Sequence, residues 1–463
     1  MSSIVVKHST TPRHHPPGPE VNWLFGTVAR FQKNPLGYLE QLVKEFGPAV
    51  RFRFFAHFHG YIFVHPEHNR HILQDNNKNY TKMPHPTFVI LRPLAGNGLL
   101  TSDGEFWRRQ RRLAQPAFHR KRINNFGTIM SQAAQGMVDR WLNETITSPT
   151  LDLDREISRM TLEVAGKTLF SRDLTREATT VGQAFTAVSH EIVKLTSSAF
   201  GAWTIQMPLV PSTRRINQHV SVLDGVVNRI IHERRQNPGE NHEDLLGMFM
   251  EARDEETGEM MTDKQLRDEV ATMLIAGHET TAVTLSWVFY FLSQYPEVRE
   301  KLEEELARVL SGRVPTIDDL AQLPYTHQII DETMRIYPPA YVISRWGQEP
   351  DTIGAYNVPA NAVLTLSPYL THRLEEFWPE PLKFDPERFA PGMEQSRPRY
   401  AYIPFGGGPR QCIGNSFALT EAALTLATVC QQVRLDLPAG QEVGMEPLIT
   451  LRPRGLNMRL SRR

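Results

Sequence analysis

Apolar positions recur at helical spacing through most of this chain and at strand spacing in only a few short runs. The spacing predicts a helix from about Pro35 to Phe46, stopped by Gly47-Pro48. Val50-Arg51-Phe52-Arg53-Phe54 then alternates at period two, and Tyr61-Ile62-Phe63-Val64 is apolar with strong strand propensity, so a small sheet is expected there. From about Glu105 to Gln236 the pattern is mostly helical, with breaks near Ser148-Pro149 and between Pro208 and Pro211. A long helix is expected from Thr262 to about Tyr295: Thr262 and Gln265 form a capping box, and Pro296 marks a restart. At ~1.5 Å per residue it spans roughly 45 Å. Val270, Met273, Leu274, Ile275, Val283, Leu285 and Val288 make it apolar on most faces, so it crosses the interior. Beyond Pro338-Pro339 the helical signal thins into short strands and loops, and one further helix follows Cys412. The fold class is mainly α with a small β region.

Composition narrows the picture. The 463 residues contain no Gly/Ser-rich or single-sign stretch that reads as a linker. One domain over residues 1–463 is therefore expected, with 1–20 a flexible Pro-rich lead-in. Lys+Arg and Asp+Glu both total 51, which argues against non-specific nucleic-acid binding. No apolar run near the N-terminus is long enough for a signal peptide or a membrane span, so a cytoplasmic protein is expected. The two cysteines, Cys412 and Cys430, are too few for a disulfide framework.

The segment Phe405-Gly406-Gly407-Gly408-Pro409-Arg410-Gln411-Cys412-Ile413-Gly414 stands out. Its glycines permit positive φ and a close approach to a flat partner. Cys412 precedes a helical run, where the N-terminal dipole, with Arg410 nearby, is expected to lower the thiol pKa. A lone cysteine is commonly an inert small hydrophobe, and that reading suffices for Cys430. The loop, however, resembles the haem-binding loop F-x-x-G-x-R-x-C-x-G of the cytochrome P-450 superfamily at every specified position. The resemblance implies that Cys412 binds the iron of haem b as thiolate, that Phe405 packs near the sulfur, and that the backbone following Cys412, Gly414 included, tempers its charge.

Other segments resemble the same superfamily in the same order. Ala276-Gly277-His278-Glu279-Thr280-Thr281 puts poor helix formers inside an apolar helix, and the Thr280 hydroxyl can bond the Ala276 carbonyl. It resembles the family's oxygen-binding groove, which implies that Thr280 holds the reacting oxygen or a water, that Glu279 relays protons from solvent, and that Ala276 lies beside the haem. Glu332-Thr333-Met334-Arg335 and Pro386-Glu387-Arg388-Phe389 resemble the family's E-x-x-R and P-E-R-F segments, implying a structural charge network of Glu332, Arg335 and Arg388. Trp107 and Arg111 resemble its W-x-x-x-R helix; with Arg345 and Arg410 they would meet the haem propionates.

The resemblance implies the family's mainly helical fold, with haem between the long helix and the cysteine loop. It implies insertion of one atom of O2 into a lipophilic substrate such as a fatty acid, terpenoid, steroid or carotenoid. Substrate-facing candidates are Phe88, Val89, Leu91, Met273, Val342, Ile343 and Ile449. The chain shows no flavin or iron–sulfur segment, so electrons are expected from a ferredoxin and its reductase or from a flavodoxin. Arg108, Arg109, Arg112, His119, Arg120, Lys121 and Arg122 form a candidate basic patch for such an acidic partner. A haem-thiolate isomerase or dehydratase, a peroxygenase and a haem sensor are the alternatives; the Glu279-Thr280 pair argues against the last two. His65, His68 and His71 read as exposed histidines on a helix rather than a metal site.

Overall fold

The computed structural model describes residues 15–20, 27–55, 58–144, 150–198, 200–237, 244–253 and 258–463. The Ser148-Pro149 break and most of the N-terminal lead-in lie outside them.

The long helix runs from Asp263 to Gln294, about 48 Å at 1.5 Å per residue. Its N-terminus carries the expected capping box: the Gln265 N–H donates to Thr262 Oγ1, and the Thr262 N–H donates to Gln265 Oε1 at 2.8 Å. It stops at Tyr295, and Pro296 opens the next helix. Most of its residues from Leu266 to Leu292 are buried, because the helices Leu153–Leu169, Pro211–Gln236, Pro324–Ile336 and Asn415–Gln432 pack around it. The helix Pro35–Phe46 ends where expected, with Gly47 at φ 90°.

The sheet is larger than the local pattern suggests. Ala49–Phe55 and Phe58–Phe63 pair antiparallel, as expected for neighbouring runs. Three distant segments join them in the order Ala362–Leu366, Ile343–Gly347 and Tyr80–Thr81, with Phe58–Phe63 parallel to Ala362–Leu366. Each added strand is only two to five residues long, so its pairing rests on tertiary partners and not on its own periodicity. A hairpin of Gly444–Pro447 and Leu451–Arg454 lies against the long helix, with Trp287 Nε1 donating to the Leu451 carbonyl at 2.8 Å. Among the described residues no helix is long and apolar enough to cross a membrane.

Candidate functional site

The cysteine loop is folded by its own backbone. The Cys412 N–H donates to the Phe405 carbonyl at 2.9 Å, and the Gln411 N–H donates to the Gly408 carbonyl at 3.1 Å. The helix Asn415–Gln432 begins just beyond the cysteine, with Gly414 as its N-cap. A Cβ at Gly408, which sits at φ 65°, would collide with the Leu73 carbonyl oxygen, and one at Gly407 would stand 2.6 Å from the Tyr400 ring. These two glycines admit the protein's own neighbours, whereas a Cβ at Gly406, at φ 70°, would meet only Ile343 Cδ1, at 3.8 Å. One expectation needs correction: the thiol pKa is raised, because burial outweighs the Gly414 N–H and the Arg111 charge, which both favour thiolate. Cys412 is nevertheless accessible, so its sulfur opens onto an enclosed space and not onto bulk water.

Facing that loop is a surplus of buried positive charge. Arg410 stacks 4.2 Å from the Trp107 ring and donates to Ser102 O at 2.9 Å and Asp103 Oδ1 at 2.6 Å. Arg111 donates to the Gln411 carbonyl at 2.9 Å, on the backbone next to Cys412. Buried Arg345 donates to Ser344 O, and burial and Arg410 lower its pKa to about 10. Two further groups belong here that the local sequence did not reveal. Lys82 is buried and bonded to the Leu100 carbonyl, with its pKa pushed well down by burial, Arg410 and Arg345. His85 is buried with Nε2 unsatisfied, and burial and Arg345 lower its pKa to about 3. Their run, Tyr80-Thr81-Lys82-Met83-Pro84-His85, has no spacing that marks a site. Asp103 forms the cluster's one ion pair among the described residues, with Arg410. Among the described residues Arg111 and Arg345 have no carboxylate within 4 Å, so an anion would complete their neutralisation, and an accessible thiol beside them is a metal donor. The donor set fits haem, a planar iron complex with two carboxylates.

The helix notch carries the Thr280 bond that its sequence allows. Thr280 Oγ1 donates to the Ala276 carbonyl at 2.9 Å, and Thr284 repeats the bond to Thr280 O at 3.0 Å. Ala276 is exposed although Met273, Leu274, His278 and Glu279 around it are buried, so it too opens inward. Glu279, the expected proton relay, is buried against the C-terminal hairpin. It accepts from Thr450 Oγ1 at 3.0 Å and pairs with Arg452 Nε at 3.5 Å. Arg452 also pairs with Asp154 and donates to Thr186 Oγ1 at 2.8 Å. The acid and the alcohol thus have separate partners.

Glu332, Arg335 and Arg388 do come together. Arg335 is fully buried and meets Glu332 twice, at 2.6 and 2.8 Å. Its Nη1 donates to the His372 and Pro381 carbonyls and its Nη2 to Lys383 O. Arg388 Nε lies 3.5 Å from Glu332, and the Asp385 N–H donates to the same carboxylate at 2.9 Å.

Among the apolar candidates, Phe88, Val89, Leu91, Met273 and Ile449 share one cluster. Val342 packs in a second and Ile343 against a third, where Ile343 Cδ1 would sit 3.8 Å from a Cβ on Gly406. In the basic patch Arg108, Arg112, His119, Arg120 and Lys121 are exposed, whereas Arg109 and Arg122 are half-buried and Arg109 donates to the Glu259 carbonyl. The histidine reading is corrected. His68 is buried and its pKa falls to about 4 through burial, while His71 lies 2.7 Å from Asp351. Cys430 is a buried thiol, as expected of a small core residue.

The cytochrome P450 sequence model matches residues 16–458. Cyclooctat-9-en-7-ol 5-monooxygenase of Streptomyces melanosporofaciens is 34% identical over 89% of this chain and 87% of its own. Pentalenene oxygenase of Streptomyces avermitilis is 33% identical over 95% of both chains. Cytochrome P450 4A24 of Sus scrofa is 30% identical over 96% of this chain and 90% of its own.

Proposed function

The chain belongs to the cytochrome P450 family and is a haem-dependent monooxygenase, and on that premise we propose that its substrate is a terpenoid hydrocarbon or alcohol. One oxygen atom of O2 would enter a C–H or C=C bond, with electrons from a separate ferredoxin and reductase or a flavodoxin. The names of the Streptomyces relatives support this substrate class. Bound haem supplies oxygen activation and the two-electron oxidation.

The residues divide the remaining work. Cys412 would hold the haem iron as thiolate, with the Gly414 N–H and Arg111 favouring its charge and Phe405 packing beside it. Trp107, Arg111, Arg345 and Arg410 would hold the propionates, with Lys82 and His85 beside them. Ala276 leaves room beside the haem. Thr280 presents its hydroxyl to the oxygen-binding side, and Glu279 is the proton reservoir behind it. Glu332, Arg335 and Arg388 hold the cysteine loop in place.

The observation that supports haem at this site is an accessible thiol beside Arg111 and Arg345, which have no carboxylate within 4 Å among the described residues. The test is optical titration of the haem-loaded protein with a terpenoid panel, then turnover with a ferredoxin system. A shift to the substrate-bound spectrum and oxygenated product are expected with at least one terpenoid. Product formed without consumption of O2 would establish an isomerase or dehydratase instead. Thr280→Ala should divert reducing equivalents to peroxide; unchanged coupling would remove Thr280 from proton delivery.

A further inference from the structure

The helix Pro66–Arg70 widens at its end into a single π turn, His71–Asp75, closed by the Asn76 N–H on the His71 carbonyl at 2.9 Å. Such turns are rare and gather at functional sites. This one lies against the cysteine loop. Leu73 is buried, and its carbonyl oxygen fills the place that a side chain on Gly408 would need. Gln74 Oε1 accepts from the Tyr400 hydroxyl at 2.5 Å, across 326 residues of sequence. The Tyr400 ring in turn stands where a Cβ on Gly407 would fall. The π turn therefore meets the glycine corner twice, once directly and once through Tyr400. From that corner the cysteine is one hydrogen bond away, since the Gln411 N–H donates to the Gly408 carbonyl at 3.1 Å.

The turn is itself pinned from its outer side. Asp351 lies on the hairpin of Asp351–Ile353 and Tyr356–Val358. Its Oδ2 accepts from the Tyr80 hydroxyl and from Asn76 Nδ2 at 2.9 Å, and lies 2.7 Å from His71 Nε2. Both ends of the π turn thus meet one carboxylate oxygen. Oδ1 accepts the Thr352 N–H at 2.7 Å, which holds the carboxylate to its own strand. Ile72, Leu73, Tyr80, Ile353 and Tyr400 share one apolar cluster beneath. The exposed pair of Arg70 and Asp75 adds little.

We propose that the π turn His71–Asp75, pinned by Asp351, positions the Cys412 thiolate by bracing the glycine corner of its loop, with Gln74 and Asp351 as positioning residues. The proposal rests on Cys412 holding the haem iron. How strongly a thiolate donates to iron depends on the N–H groups aimed at it, and these follow the backbone of its loop. A looser corner lets those groups drift from the sulfur. More charge then stays on the thiolate, which favours the oxidised iron.

The test is amide hydrogen exchange of the haem-loaded full chain over Phe405–Gly414, together with the midpoint potential of the bound haem. Gln74→Leu removes the acceptor for Tyr400. Exchange in this segment should rise about fivefold and the potential should become more negative, while exchange in the helix Ala178–Thr196 stays as in wild type. Tyr400→Phe removes the other half of the same bond, so the double variant should exchange no faster than either single one; additive effects overturn the brace. Asp351→Ala should also raise exchange in the segment, and a folded variant that does not removes the pin. Should Asp351→Ala fail to fold, Gln74→Leu decides alone, because Gln74 is exposed. A lowered unfolding temperature in Gln74→Leu with unchanged loop exchange and potential would make the bond structural only and overturn the proposal. The two failures are distinguishable. A wild type without the red-shifted carbonyl band refutes thiolate ligation, whereas that band with unchanged exchange in Gln74→Leu overturns the brace alone.

Discussion

Two buried charge clusters flank the cysteine loop, and they are built on opposite plans. Around Glu332 and Arg335 the donors and acceptors answer one another within the protein: carboxylate, guanidinium, three carbonyls and the Asp385 N–H. Around Arg345 the basic groups outnumber the acids, Lys82 and His85 are held away from their charged forms, and one ring nitrogen has no bond. A balanced cluster serves the fold, because removing any member strands another. An unbalanced one destabilises the fold until an anion arrives, which is how a ligand site looks from the side of the protein.

The contrast is broken most severely by Cys412→Ser, which should abolish the red-shifted carbonyl band of the reduced protein while leaving both clusters intact. A retained band would refute thiolate ligation. Next in size is Arg335→Ala. It strands Glu332 in a buried site and should lower unfolding free energy by about 3–5 kcal/mol, read by denaturant melts, with haem loss following unfolding. Arg345→Met should do the reverse. Haem affinity should fall about tenfold for a lost charge-assisted contact, while the stability of the haem-free chain holds or rises. If the haem-free chain is instead destabilised as in Arg335→Ala, the two clusters do not differ in kind.

A smaller effect lies behind Lys82. The Glu269 carboxylate accepts the Leu99 N–H at 3.0 Å, its other oxygen is unsatisfied, and burial raises its pKa from 4.5 to about 7. The folded chain holds this proton more tightly than the unfolded chain. The stability it lends is complete below about pH 4.5 and is lost as pH rises through about 7. Glu269→Gln keeps an acceptor for Leu99 and should flatten stability against pH in that window. The smallest effect belongs to the exposed patch: Arg112→Glu with Arg120→Glu should slow reduction by an acidic ferredoxin several-fold at low salt and little at high salt. Unchanged reduction would place the electron donor elsewhere.

What the sequence by itself determined is what neighbouring residues determine. The capping box at Thr262, the restart at Pro296, the stop at Gly47 and the Thr280–Ala276 bond all join positions within a few residues, so local spacing reveals them. The ten-residue cysteine loop is legible for the same reason. Only the tertiary structure decided which charges meet. Lys82 and His85 come near Arg345, and Glu279 turns to Arg452, across separations that no periodicity spans, whereas the meeting of Glu332 with Arg388 was implied by the motif resemblance. It also decided the direction in which the Cys412 pKa moves in the haem-free chain, since the helix dipole is a local effect and burial is not. Burial depends on every element packed around a group, and at Cys412 it outweighs the neighbouring N–H and guanidinium.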